Sequence, residues 1–306
     1  MALNFLREED NDMKICFIGL GIMGKPMAKN LLKAGYKLKA YDLVSSAVDE
    51  VVGAGAERGA DNADAAKGCD LIITMLPNSP HVKEAVLGKS GVLEGMAAGA
   101  ILVDMSSINP IASREICAEV EKKGGFMLDA PVSGGEPKAI EGTLAIMVGG
   151  RQEVFDKVKG VLEVMGSSVT LCGGIGSGNT TKLANQVIVA ANIAAVGEAL
   201  VLGKKAGVKP EAIYSAIRAG LAGSTVMDAK APMMMDGNFK PGFRINLHIK
   251  DLTNALDTGH DVGAPLPLTA VVMEMMQWLK ANGYEGEDHS SLVRYYEYLS
   301  KTDVRR

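Results

Sequence analysis

Lys182, Asn185 and Gln186 stand at i, i+3 and i+4 within a helical pattern over residues 180–206, a spacing that stacks the three side chains on one helix face. The next positions on that stripe, Val189 and Ile193, are apolar. An ammonium and two amides at the head of such a face suit a proton donor to a substrate carbonyl, with the amides orienting the substrate. The plainer alternative is a solvated lysine with two amides packed against a hinge. A second segment, Ser133-Gly134-Gly135, follows a strand pattern and precedes a helix expected to start near Pro137. Successive exposed amides beside a hydroxyl make a nest for an anion such as a substrate carboxylate. A third, Lys250-Asp251, adds a cation and an acid that reach a cleft from the C-terminal half. Arg244 and His248 lie nearby, and surface placement is the default for both.

Gly19-Leu20-Gly21-Ile22-Met23-Gly24 directly follows a strand pattern and opens a helix. In GxGxxG the first glycine makes the turn, the second admits a pyrophosphate and the third lets helix and strand pack closely. The second strand ends at Asp42, 18 residues after Gly24, where a carboxylate accepts hydrogen bonds from the adenosine ribose hydroxyls. An acid there repels a 2′-phosphate and no arginine follows it, so NAD is expected, with NADH as the reductant, in preference to NADP. Leu76-Pro77-Asn78 and Ser107 end two further strand patterns and are expected to line the same cleft. Capping of the next helix competes with cofactor contact at Ser107.

These residues need a scaffold, and the pattern supplies one. Short apolar runs (KICFIGLG, YKLKAYD, CDLIITML, AILVDMSS, GFMLDAPV, TLAIMVGG) alternate with helical segments, which implies βαβ units and a parallel sheet. After CGGIGSGN no strand pattern remains, and helical patterns follow over residues 210–219, 247–259 and 266–281. Of 36 glycines, 25 precede residue 179, consistent with backbone that must approach anions in the first half. The expectation is an N-terminal extension (1–12), a Rossmann-like α/β domain with a parallel sheet (13–175) and an all-helical domain (176–306).

A formal net charge of -4 and the lack of a Lys/Arg block leave no electrostatic footprint for nucleic acid. Four scattered cysteines and four histidines form no CxxC, HxxxH or HExxH spacing, so no metal site is expected and the thiols are read as reduced, mostly buried and cytoplasmic. Residues 1–12 lack the basic and apolar regions of a signal peptide. The apolar stretch 183–203 is broken by Asn185, Gln186, Asn192 and Glu198, which points to a buried helix and not a membrane span. The methionine-rich runs 233–235 and 273–276 read as core filler.

Taken together, FIGLGIMGKPMAKNL, DAPVSGGEPKAIEGTL, GSGNTTKLANQ and FKPGFRINLHIKDL resemble the β-hydroxyacid dehydrogenase family, in order and spacing, over nearly all of the chain after Met13. The resemblance implies hydride transfer between a nicotinamide cofactor and a small carboxylate substrate bearing a CH–OH group. It implies an active site between the two domains and a homo-oligomer, a dimer or tetramer, built largely through the helices. Lys182 matches the family's catalytic lysine, Ser133-Gly134-Gly135 its substrate-carboxylate loop and Lys250 a lysine that meets cofactor and substrate. Many relatives, the 3-hydroxyisobutyrate enzymes among them, carry Asn-Asn where this chain has Asn185-Gln186, a departure that favours another substrate subgroup; a 3-hydroxyisobutyrate or 4-hydroxybutyrate type dehydrogenase is the alternative within the family. A non-catalytic dinucleotide-binding sensor is the reading from another class; loss of the lysine would mark it, and Lys182 is present.

Overall fold

The computed structural model describes residues 13–306; the expected N-terminal extension, residues 1–12, lies outside the described residues. The chain forms two compact units that divide between Lys182 and Leu183.

The first unit is built on nine strands: β1 (Lys14–Ile18), β2 (Lys37–Tyr41), β3 (Glu57–Arg58), β4 (Leu71–Thr74), β5 (Ile101–Asp104), β6 (Phe126–Asp129), β7 (Val132–Ser133), β8 (Leu144–Gly149) and β9 (Gly166–Gly173). Strands β3-β2-β1-β4-β5-β6 run parallel in that order. Side-chain alternation sends Ile15, Phe17, Leu71, Ile73 and Val103 into one apolar layer and Cys16, Ile18, Ile72 and Leu102 into the other. Both faces are therefore covered, which is why these strands read as unbroken apolar runs. The covering helices show the matching period: in Gly24–Lys33 the buried residues are Gly24, Met27, Ala28 and Leu31, one stripe at 3.6-residue spacing. Chain order reverses at β1, between β2 and β4, and ligands of such sheets bind outside the strand ends at that point.

The sheet is predominantly parallel, as expected, with one local reversal. β8 runs antiparallel to β6 and β7. Only the seven-residue helix Gly135–Glu141 and its flanking turns link β7 to β8, too short for the crossover that parallel pairing requires. β9, parallel to β8, was not anticipated because Ser167, Ser168 and Thr170 break up its few apolar residues and half of the strand is exposed.

The second unit is helical. It contains most of Ser177–Lys205, then Pro210–Ile217, Thr225–Asp236, Ile245–Asp261, Pro267–Ala281 and Val293–Ser300. Ser177–Lys205 is long and apolar enough to cross a bilayer by length and composition. Its Ala190, Ile193, Ala194, Val196, Leu200 and Val201 instead pack in one core with Met234, Met235, Met273 and Met276. Two of these helices were not expected from sequence. Thr225–Asp236 holds Pro232 in its interior, a residue that breaks most helical patterns. It forms because Ser224 caps its start by accepting the Met227 N–H at 3.0 Å, and Gly237 ends it in a left-handed turn.

Candidate functional site

The glycine turn after β1 shows three different reasons for three glycines. Gly19 adopts φ +95°, and a Cβ there would lie 2.3 Å from the Met75 carbonyl oxygen. A Cβ on Gly24 would fall 1.9 Å from the Gly19 carbonyl oxygen, so its absence lets the helix close on the turn. Nothing lies within 4 Å of a Cβ placed on Gly21. No internal packing demands glycine there, whereas backbone that admits a pyrophosphate does. The turn is pinned to β2: Gly19 N–H donates to the Tyr41 carbonyl at 3.0 Å. Asp42 accepts the Leu20 N–H at 2.6 Å and the Val44 N–H at 2.7 Å. A cleft of about 750 Å³ opens here, lined by Leu20, Gly21, Ile22, Lys25, Asp42 and Glu50, among others. Glu50 holds Lys25 and Lys29 at 2.7 and 2.6 Å, and those hydrogen bonds bring its carboxyl down to about 2. These residues fit a dinucleotide: Asp42 would meet its ribose and Gly21 would leave room for its phosphates. A Gly21→Ala variant is expected to keep the wild-type melting temperature while its Kd for NADH rises by roughly tenfold or more. Unchanged binding in fluorescence titration would remove Gly21 from the phosphate site.

The other strand-end residues prove to be tied together. The Leu76 N–H donates to Ser106 Oγ at 2.8 Å. Asn78 caps the Ser79–Leu87 helix through Oδ1. The capping role weighed for Ser107 belongs instead to Asn109, whose Oδ1 accepts the Ile111 N–H at 2.8 Å. Beneath them Asp104 is fully buried, with Oδ1 accepting from Thr74 Oγ1 at 2.8 Å and from the Ser106 N–H at 3.1 Å. Its Oδ2 has no hydrogen-bond partner. Burial pushes its carboxyl up to about 6, against the Ser106 and Thr74 hydrogen bonds and helped by Asp129, its register partner on β6. The folded chain thus holds this proton more tightly than the unfolded one. Stability from Asp104 is present below about pH 4 and falls by roughly 3 kcal/mol as pH rises through 6. Urea unfolding from pH 4 to 7.5 should show Asp104→Asn losing less stability than wild type by about that amount; parallel profiles would refute it.

Asp129, also fully buried, closes the first unit around the start of the lysine helix. Its Oδ1 accepts the Gly176 N–H and its Oδ2 the Asn179 N–H, both at 2.7 Å. Burial raises its carboxyl despite these two bonds. Asn179 in turn accepts the Ile108 N–H at 3.0 Å and donates to Ser113 Oγ at 3.1 Å. The ends of β5 and β6 and the first turn of Ser177–Lys205 are therefore one hydrogen-bonded block. Lys182, only 7% exposed, lies three residues beyond Asn179 and so on the same helix face. On the strand side, Gly134 and Gly135 adopt φ +141° and +71° after the half-buried Ser133, the turned backbone expected of an anion nest. Around these strand ends the sequence reading named Lys182, Ser107 and Ser133–Gly135. It missed Asp104, Asp129 and Asn179, although an acid closing an apolar strand (ILVD, FMLD) was the available signal.

The second unit carries a separate polar cluster. The Gln186 side chain is buried and committed at both ends: Oε1 accepts from Asn185 Nδ2 at 2.8 Å, and Nε2 donates to Asp251 Oδ2 at 2.7 Å. Asp251 Oδ1 meets Lys250 Nζ at 3.0 Å. His248 is fully buried, which corrects the surface placement expected of it; Arg244 is exposed. His248 Nε2 lies 3.3 Å from the Gln186 carbonyl and so carries the proton, leaving Nδ1 to accept from His289 Nδ1 at 2.9 Å. Asp288 supports the pair from behind, gripping Lys230 at 2.9 Å and the amides of Gly242, Phe243 and Ser290. Burial alone would raise the Asp288 carboxyl, but His289, Lys230 and the Ser290 amide bring it to about 2.

Comparison with known proteins agrees with both halves. Residues 14–174 match the NAD-binding domain of 6-phosphogluconate dehydrogenase, and residues 176–296 match a domain described as NAD-binding of NADP-dependent 3-hydroxyisobutyrate dehydrogenase. The chain is 43% identical to 2-hydroxy-3-oxopropionate reductase of Escherichia coli over 94% of its own length and 98% of that protein's. It is 40% identical to 2-(hydroxymethyl)glutarate dehydrogenase of Eubacterium barkeri, covering 96% and 98% of the two chains. Among solved structures, 3-hydroxyisobutyrate dehydrogenase of Mycobacterium tuberculosis with L-serine superposes with a TM-score of 0.88 at 30% identity, over 93% of this chain and 99% of that one. With its NAD(P)-binding unit, its helical unit and this shared sequence over almost its full length, the chain belongs to the β-hydroxyacid dehydrogenase family.

Proposed function

We propose that the protein reduces tartronate semialdehyde (2-hydroxy-3-oxopropanoate) to glycerate, with NADH as reductant, in the cytoplasm. The observation that carries the chemistry is Lys182, a buried lysine fixed through the Asp129–Asn179 block to the ends of β5 and β6. Support for the substrate comes from the 43% identity with the E. coli reductase and from the Asn185-Gln186 pair. When bound, the reduced cofactor supplies a hydride for the aldehyde carbon. Lys182 Nζ donates a proton to the aldehyde oxygen, which becomes the primary hydroxyl of glycerate, and the amine regains a proton from solvent. Ser133, Gly134 and Gly135 hold the substrate carboxylate with hydroxyl and backbone donors. Lys250 adds positive charge for the anionic substrate, steadied by Asp251.

Steady-state kinetics over short semialdehydes test this directly. The highest kcat/KM is expected for tartronate semialdehyde; a higher value for the precursors of 3-hydroxyisobutyrate or 4-hydroxybutyrate would overturn the substrate. For the cofactor, Asp42 would set a negative charge against a 2′-phosphate, so kcat/KM with NADH should exceed that with NADPH by about tenfold or more. Asp42→Ser should narrow that gap, and an NADPH preference in the wild type would reverse the assignment.

A further inference from the structure

The helix Ile245–Asp261, which carries Lys250, is tied to the lysine helix Ser177–Lys205 by a relay of two imidazoles. Both rings are buried, and the Phe243 ring packs at 5.7 Å from that of His248 and 5.4 Å from that of His289. The Gln186 carbonyl can only accept, so His248 donates to it from Nε2. The two Nδ1 atoms face each other at 2.9 Å, and a bond of that length holds one proton. With none the lone pairs repel, and with two the N–H groups collide. The pair can therefore carry one positive charge with this bond intact, but not two. The Gln186 carbonyl lies in mid-helix, where the helix itself supplies an N–H four residues on. His248 is thus not needed to satisfy that carbonyl; its bond fixes one helix against the other. Behind it, the Ile245 and Asn246 N–H groups donate to the Glu287 and Glu285 carbonyls at 3.0 and 3.1 Å. The His289 N–H donates to the Phe243 carbonyl at 2.9 Å.

The neighbouring charges do not offset a second charged ring. Asp288, beside His289, is already gripped by Lys230 from the Thr225–Asp236 helix at 2.9 Å and by the amides of Gly242, Phe243 and Ser290. Lys250 and Asp251, on the helix of His248, pair with each other at 3.0 Å, and so do Arg294 and Glu287. Arg244 is exposed. From the lysine helix the contact is the uncharged Gln186 carbonyl. We propose that His248 and His289 are positioning residues for the reaction, which hold the Lys250 helix against the lysine helix through one shared proton and release it when both rings are charged. The functional consequence rests on the reading of Lys250 given above. Neither ring touches substrate in this account. Acid therefore weakens the hold on the substrate and leaves the chemical step in place, which raises KM and spares kcat.

The test follows kcat and KM for tartronate semialdehyde at saturating NADH, across the pH range in which imidazoles take up protons, in the wild type, His289→Asn and His289→Leu. Asparagine places an amide where Nδ1 stood; it can donate to His248 or, turned over, accept from it, and it never becomes charged. Wild-type KM is expected to rise at least about tenfold between about pH 8 and about pH 5.5, with kcat constant within about twofold. His289→Asn should keep a low KM throughout, and His289→Leu a raised KM at every pH. His248→Phe, which keeps a ring without nitrogen, replaces the leucine variant if that protein is insoluble. Asp104 titrates in the same range, but its effect persists in His289→Asn, so the difference between the two profiles belongs to the histidine pair. A second readout needs no turnover: in protein with 15N-labelled histidine, NMR at about pH 8 should show scalar coupling between the two Nδ1 nuclei across the shared proton, lost in acid. Absence of that coupling, a wild-type KM flat in pH, an acid rise shared by His289→Asn, or a wild-type KM in His289→Leu would each overturn the proposal. A wild type that shows the coupling and does not turn over tartronate semialdehyde supports the shared proton and sinks the substrate reading instead.

Discussion

Replacing Lys182 by alanine is expected to lower kcat by at least about a hundredfold while NADH binds as in the wild type. The cofactor residues around Gly21 and Asp42 belong to other strand ends, so the variant separates proton donation from cofactor binding. Lys182→Arg should not restore turnover, since a guanidinium keeps the charge but does not give up its proton near neutral pH. Stopped-flow transients with NADH should locate the loss in the chemical step. Near-normal turnover in Lys182→Ala would remove the lysine from the reaction.

The second large effect is expected at Asp129, which contacts no predicted ligand group. Asp129→Ala leaves the buried Gly176 and Asn179 amides without their acceptor, at a cost of about 1–3 kcal/mol for each unsatisfied donor. Urea denaturation should show a loss of at least about 2 kcal/mol. The site was shaped for this carboxylate: a Cβ on Gly149 would lie 2.3 Å from Asp129 Oδ1, and one on Gly178 would lie 3.0 Å from Oδ2. Asp129→Glu therefore has no room and should not rescue. Asp129→Asn keeps one acceptor, and should recover part of the stability while kcat stays low because the Lys182 helix is no longer held at both amides. A fully active, fully stable Asp129→Ala protein would contradict the block described for the first unit.

Much of this was legible in the sequence, for identifiable reasons. The glycine turn and Asp42 were readable because backbone geometry demands particular residue types at fixed spacing. The β1, β4 and β5 runs were readable because a strand covered on both faces is apolar throughout. The Pro232 helix was hidden, since local propensity argues against it and a cap and core methionines outweigh that. The reversal at β8 was hidden because strand direction depends on connection length and pairing, which an apolar run does not encode. His248 was misread although its signal was present. Ile245, His248, Ile249 and Leu252 fall at i, i+3, i+4 and i+7 and are all buried, so the histidine continued an apolar stripe. The Asp129 and Asn179 links join residues 47 to 71 positions apart, and no local pattern announces such partners.

The central claim is tested most directly by competition. Equimolar 2-hydroxy-3-oxopropanoate and 2-methyl-3-oxopropanoate are mixed with limiting NADH and the purified protein, and the products are followed by NMR. The account predicts that glycerate forms first and in stoichiometric balance with NADH consumed; 3-hydroxyisobutyrate accumulating ahead of glycerate would contradict it.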